Sequence, residues 1–132
     1  MWEYCGVVRD GSGLKKGLEK IDSLKKSLFE LDVRPNSEGF EDLMLAFDLE
    51  GSIISASATL LSAAKRQESR GAHQRTDFEE IDNSFNLNVK VDMDPNGNLR
   101  LSEKKLENMS DEQISAIKNT EAINDLSGKL LE

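Results

Sequence analysis

The chain has 132 residues, with 25 Asp plus Glu against 17 Lys plus Arg, for a formal net charge of −8. That balance argues against a nucleic-acid surface, which needs clustered cations. One cysteine, Cys5, leaves no internal disulfide, which suits a reducing compartment, and one histidine falls short of the usual zinc sets. The composition is 37% hydrophobic and 32% charged, which predicts one soluble, mainly helical domain. No uninterrupted run of about 18 apolar residues predicts a membrane span. No basic stretch precedes an apolar one as in a signal peptide.

Met1–Arg9 starts abruptly, and Trp2, Cys5 and Val8 can share one helical face. The segment reads as the interior of a longer protein. Asp10-Gly11-Ser12-Gly13 breaks it, with Asp or Ser available to cap a new helix. Leu14, Leu18, Ile21, Leu24, Leu28 and Leu31 then recur at spacings of 4, 3, 3, 4 and 3, which predicts an amphipathic helix over 14–31. Arg34-Pro35-Asn36 ends it. A second helix is predicted from Ser37 or Glu38 to Arg70, buried through Phe40, Leu43, Met44, Phe47, Ile54, Leu61 and Ala64. At about 1.5 Å per residue it would be long for a single domain and would need partners along its whole length. Small residues from Ser52 to Ala58 would let a neighbour approach closely.

Lys65–Arg75 reverses the sign of the chain locally, holding Lys65, Arg66, Arg70, Arg75 and His73 around Gly71. Two readings stay open. Cations and a glycine are ordinary helix C-terminal chemistry. The same residues also suit a docking turn that meets an acidic or phosphate-bearing surface.

After Arg75, the acidic run Asp77, Glu79, Glu80 and Asp82 reads as a solvated face. Leu87, Val89, Val91 and Met93 alternate with polar residues. Asp94-Pro95-Asn96-Gly97 supplies a turn, and Leu99 and Leu101 alternate again, predicting a β-hairpin. Ser110-x-x-Gln113 is a capping box for a last helix ending near Gly128. The predicted architecture is mainly α: a three-helix, spectrin-repeat-like bundle over 1–76, an acidic linker and hairpin over 77–103, and a helical tail over 104–132.

Asp92, Asp94, Asn96, Asn98 and Glu103, with Gly97 between them, also fit the spacing of an EF-hand calcium loop. The alternating flank before Asp92 favours a hairpin turn instead. His73 lacks an obvious orienting carboxylate other than Glu68 or Asp77, so it reads as a cap or surface residue rather than a base. No G-x-G-x-x-G or P-loop spacing occurs, so no cofactor-binding, catalytic or metal residue is assigned.

Arg66-Gln67-Glu68-Ser69-Arg70-Gly71-Ala72-His73-Gln74-Arg75 closely resembles a signature near the end of the flavoprotein subunit of succinate dehydrogenase and fumarate reductase. Cys5-Gly6-Val7-Val8-Arg9, Gly13–Ile21 and the hairpin at 87–101 are similar to that family's segments in the same order. The resemblance covers 2–103 and leaves the tail unplaced. It implies a C-terminal helical domain whose FAD-binding and substrate-capping domains lie upstream. It also implies a parent enzyme that interconverts succinate and fumarate and passes electrons to an iron–sulfur subunit. FAD belongs to the parent and not to this chain, which is expected to be non-catalytic by itself. Location would be cytoplasmic, on the cytoplasmic face of a membrane complex. On this resemblance Arg70, His73 and Arg75 dock against the flavin domain, with Glu68 as an internal partner. L-aspartate oxidase is a near relative, similar at Met1–Arg9. The residues by themselves also leave room for a free-standing interaction module or a single-site calcium module.

Overall fold

The computed structural model describes residues 1–33 and 40–118. Two helices, α1 (Gly11–Ser27) and α2 (Phe40–Lys65), pack against each other. A two-residue strand, β1 (Val8–Arg9), pairs in parallel with β2 (Gln74–Arg75). Strands β3 (Leu87–Met93) and β4 (Leu99–Lys105) form an antiparallel hairpin, followed by α3 (Asp111–Lys118).

Asp10 starts α1 by accepting a hydrogen bond from the Gly13 N–H at 2.9 Å. The helix therefore begins earlier than the leucine stripe alone implies. It ends at Ser27 and runs on as a short 3-10 turn, Leu28–Glu30. Leu14 meets Leu60 and Ala63 in a small core, with Tyr4, Cys5, Leu18, Ile21 and Ala64 packed around it. Leu24 and Leu31, on the same stripe, remain 43% and 48% exposed.

The expected three-helix bundle is a helix pair. Residues 1–7 turn without forming a helix, and Trp2 is 93% exposed. Nine residues are too few to hold a helix without strong tertiary support, and Gly6, Val7 and Val8 disfavour one. Strand pairing gives the backbone its partners instead, with the Gln74 N–H donating to Val7 and the Thr76 N–H to Arg9.

Helix α2 buries Ile53, Ala56, Leu60 and Ala63. Met44 and Phe47, predicted to be buried, are 67% and 75% exposed. Phe40's side chain and residues 37–39 lie outside the described residues. The reason is length: at about 1.5 Å per residue, α1 spans about 26 Å and α2 about 39 Å, so an antiparallel α1 leaves the first turns of α2 uncovered. By length and composition alone Glu41–Lys65 could cross a membrane, with mean hydropathy 1.3, and only 17% of the stretch is buried. No unbroken apolar run announces this, because Asp48, Glu50 and several serines interrupt it.

The hairpin forms as its turn residues dictate. The Gly97 N–H donates to the Asp94 carbonyl at 2.9 Å, Pro95 sits at the second turn position, and Gly97 takes φ 81°. At α3 the capping box is reciprocal: Gln113 N–H donates to Ser110 Oγ at 3.2 Å, and Ser110 N–H to Gln113 Oε1 at 2.9 Å. The end expected near Gly128 lies outside the described residues.

Close packing of α1 on α2 depends on Gly17. A Cβ there would stand 2.8 Å from Leu60 Cδ2 and 2.9 Å from Tyr4 Cβ. Gly17→Val should therefore cost about 2 kcal/mol by overpacking. Gly51→Ala, with nothing within 4 Å of the added methyl, should gain about 0.5–1 kcal/mol. Urea unfolding followed by circular dichroism checks both, and equal effects would contradict this packing.

Candidate functional site: an arginine turn at the end of the long helix

Helix α2 stops at Lys65, five residues short of the end that the arginine-rich stretch predicts. The cause is a side chain that arrives from the far side of the turn. Arg75 is 4% exposed, and its Nη1 donates to the carbonyls of Ala63 and Arg66, each at 3.1 Å. His73 Nε2 lies 3.1 Å from the same Arg66 carbonyl. A guanidinium thus satisfies carbonyls that a helix C-terminus leaves open, at the negative end of the macrodipole.

Gly71 is not the stop residue. With φ 58° it takes the first central position of a tight turn, Arg70 to His73, closed by reciprocal backbone hydrogen bonds of 2.8 and 3.0 Å. Only glycine takes that position readily in a turn of this hand. Ser69 is buried beneath, donating to the Phe78 carbonyl at 2.8 Å and accepting from the Arg75 N–H at 2.8 Å.

The charges of the turn face inward. Arg75 Nε and Nη2 grip the two oxygens of Asp77 at 2.7 Å each, and Asp77 Oδ2 accepts from the Gly11 N–H at 2.9 Å. Asp77 is therefore held well below the usual carboxylate range, chiefly by Arg75. Asp77 is exposed like Glu79, Glu80 and Asp82, as a solvated run predicts, but it is also bound by Arg75 and the Gly11 N–H. Phe78 lies under the same guanidinium, 4.9 Å from ring centre to Cζ.

Glu68 is fully buried and collects three donors. Arg66 Nη1 and Arg70 Nε bind Oε1, the latter at 3.0 Å, and the Asp82 N–H binds Oε2 at 3.0 Å. Burial pushes its pKa up, but the hydrogen bonds from Arg70, Arg66 and Asp82 outweigh this and lower it from 4.5 to about 2. Arg66 also donates to the carbonyls of Phe85, at 3.0 Å, and Leu87, at 2.6 Å, which ties the hairpin to the end of α2. Lys65 and Glu103 add an ion pair at 2.8 Å.

Glu68, Arg70, His73 and Arg75 thus gather in one turn, each with a partner inside the chain. His73 touches neither Glu68 nor Asp77. Burial, then the positive charge of Arg9, Arg75 and Arg66, holds its pKa below the ordinary 6.5. It is neutral at pH 7, and its Nε2 proton faces a carbonyl. Ser69 and Asp77 are not among the predicted site residues, and Arg66 is there only as one cation of the stretch. The i, i+2 spacing of Arg75 and Asp77 is the one available hint.

The calcium-loop residues fall on a hairpin with strands on both sides. Asp94 accepts from the N–H groups of Asn96 and Asn98 at 2.9 Å and from Arg100 at 3.0 Å. Asp92 stands opposite Arg100 and Glu103 opposite Val89, which places those carboxylates on opposite faces of the ribbon. Among the described residues no three His, Cys, Asp or Glu side chains converge as metal ligands.

Known proteins resemble this chain over most of its length. The family model described as the fumarate reductase flavoprotein C-terminus matches residues 1–124. An FAD-dependent oxidoreductase of Methanocaldococcus jannaschii is 38% identical over 69% of this chain and 16% of its own length. A component of the fumarate reductase (CoM/CoB) of Methanothermobacter marburgensis is 41% identical over 61% of the chain and 15% of its own length. A chloroplastic L-aspartate oxidase of Nicotiana tabacum is a weaker match, 34% identical over 66% of the chain and 13% of its own length. The flavoprotein of E. coli quinol fumarate reductase superimposes with TM-score 0.76 at 29% identity, over 83% of this chain and 20% of that one. The chain spans about one-sixth of the length of the first of these relatives.

Neutralising Glu68 would strand two arginines. Glu68→Gln should cost about 2–4 kcal/mol at pH 7. A depressed carboxylate pKa stabilises the fold above the unfolded value, so the gap from wild type should be full above pH 4.5 and close as pH falls toward 2. Thermal unfolding of both proteins across that range is the measurement, and a gap that widens on acidification would contradict the assignment.

Proposed function

Because the chain belongs to the fumarate reductase flavoprotein C-terminal family, we propose that it is the helical buttress of an FAD-dependent flavoprotein subunit. The parent interconverts succinate and fumarate and passes electrons to an iron–sulfur subunit, on the cytoplasmic face of a membrane complex. The observation that carries this is the family match across residues 1–124. The E. coli superposition supports it, since it aligns this chain to one-fifth of a fumarate reductase flavoprotein.

The described residues do not fit a flavin dinucleotide by themselves. The strand-to-helix turn from β1 into α1 contains Gly11 and Gly13, as a pyrophosphate-binding turn would. Its N–H groups are taken by carboxylates, Gly11 by Asp77 and Gly13 by Asp10. Two negative charges stand where a pyrophosphate would have to sit. FAD is held by the rest of the parent, and this chain supplies a rigid wall.

Within that role Arg70 is the outward member of the turn. Its side chain is 38% exposed, whereas those of Glu68 and Arg75 are 0% and 3% exposed. Docking to the flavin domain falls mainly to Arg70 and the exposed edge around Gly71, while Glu68, His73 and Arg75 hold the edge in shape.

Purified with its full parent polypeptide, the protein should carry flavin and interconvert succinate and fumarate, and a flavin-free parent would overturn the reading. Arg70→Ala in that full-length protein should lower the flavin retained after gel filtration and weaken assembly with the iron–sulfur protein. The KM for the dicarboxylate should not change. Wild-type flavin content and assembly would remove Arg70 from the docking role.

A further inference from the structure

Arg9 is the exception to the internal pairing of this region. Its guanidinium makes no hydrogen bond or ion pair among the described residues, and its Nε is buried without a partner. Strand register sets Arg9 beside Arg75, whose own guanidinium is fully engaged. Arg9 lines an open groove of about 510 Å³ together with Thr59, Ser62, Arg66, His73 and Asn88. Among the described residues no acidic side chain lines that groove, although the chain carries a net charge of −8. Arg66 has given three of its five N–H donors to Glu68 and two carbonyls and has Glu68 as its countercharge, so the cation of the described groove without an acidic partner is Arg9.

We propose that this groove is a receptor for one carboxylate side chain, supplied by the part of the parent polypeptide outside these 132 residues, with Arg9 as the anchor. A guanidinium with a buried Nε and no acceptor is an arrangement that proteins ordinarily complete. One planar fork matches one carboxylate through two parallel N–H donors, and with Nε closed to solvent these are the two terminal nitrogens. A phosphate dianion would call for a second uncommitted cation, and the described groove has none. Asn88 provides a neutral donor at the same opening, whereas Ser62 and Thr59 give their hydroxyl protons to the Ala58 and Ser55 carbonyls. His73, kept neutral by burial and then by its cationic neighbours, borders the site without competing for an anion.

The inference rests on the proposed buttress role only for the source of the carboxylate; the receptor itself is testable in this chain. The probe is acetate, added at constant ionic strength to the ¹⁵N-labelled 132-residue protein while arginine Nε–Hε signals are followed. The Arg9 signal, assigned by its loss in Arg9→Lys, should shift saturably. A midpoint on the order of 1 mM or below suffices, because a carboxylate on the same polypeptide is presented at mM effective concentration. The His73 ring should titrate at higher pH when acetate is bound. Arg9→Gln should abolish both responses while leaving the unfolding midpoint unchanged. A linear response, an equal response in Arg9→Gln, or inorganic phosphate binding roughly tenfold tighter than acetate would overturn the proposal. None of these readouts needs flavin or succinate chemistry, so an inactive parent and an empty groove are separate results.

Discussion

The fold depends on one clamp. Arg75 reaches the carbonyl-bearing end of α2 while gripping Asp77, and Asp77 reaches the N–H-bearing start of α1. A cation is thereby held at the negative end of one helix dipole and an anion at the positive end of the other. Both groups also hydrogen-bond the backbone positions that a helix cannot satisfy internally. The arrangement needs α1 to approach closely. A Cβ on Gly11 would lie 3.0 Å from Asp77 Oδ2 and 3.3 Å from Arg75 Nη2. The clamp, more than the small core of Leu14, Leu60 and Ala63, decides where α2 ends, and it holds the start of α1 that Asp10 caps.

Around it, electrostatics is turned inward. Arg66 and Arg70 share the single charge of Glu68, Asp77 neutralises Arg75, and Asp94 serves its own turn and Arg100. Pairs of this kind add little net stability, since desolvating each ion offsets much of the attraction. What they supply is a unique geometry. Arg66 binds the carbonyls at the start of β3, and the Ser69 N–H binds the Glu80 carbonyl, so turn, acidic segment and hairpin share one set of hydrogen bonds. Such a unit suits a wall that must keep its shape beside a larger domain.

How far the sequence reveals this depends on the range of each interaction. The leucine stripe of α1, the Asp94–Gly97 turn and the Ser110/Gln113 box are local patterns, and each produces the expected element. The N-terminal segment misleads because its partner, Gln74–Arg75, lies more than 60 residues away and no helical face announces a two-residue strand. The end of α2 is misplaced because Gly71 and the nearby cations imitate a helix stop, while the true stop is a guanidinium folding back from Arg75. Met44 and Phe47 follow a credible apolar stripe, yet a stripe records only that a surface wants cover, and α1 is too short to provide it. Four residues of the turn can be named from the family resemblance, but Asp77 cannot. Its acidic neighbours make it look like one more solvated charge.

That uncovered stretch of α2, with Met44, Leu45 and Phe47 all more than 60% exposed, bears on colloidal behaviour. Mutual repulsion between copies carrying eight excess negative charges opposes self-association through so apolar a band. As the medium approaches the isoelectric point near 4.7, that repulsion vanishes while the band is unchanged. Precipitation should therefore set in before the buried carboxylate of Glu68 takes up a proton and the native packing loosens.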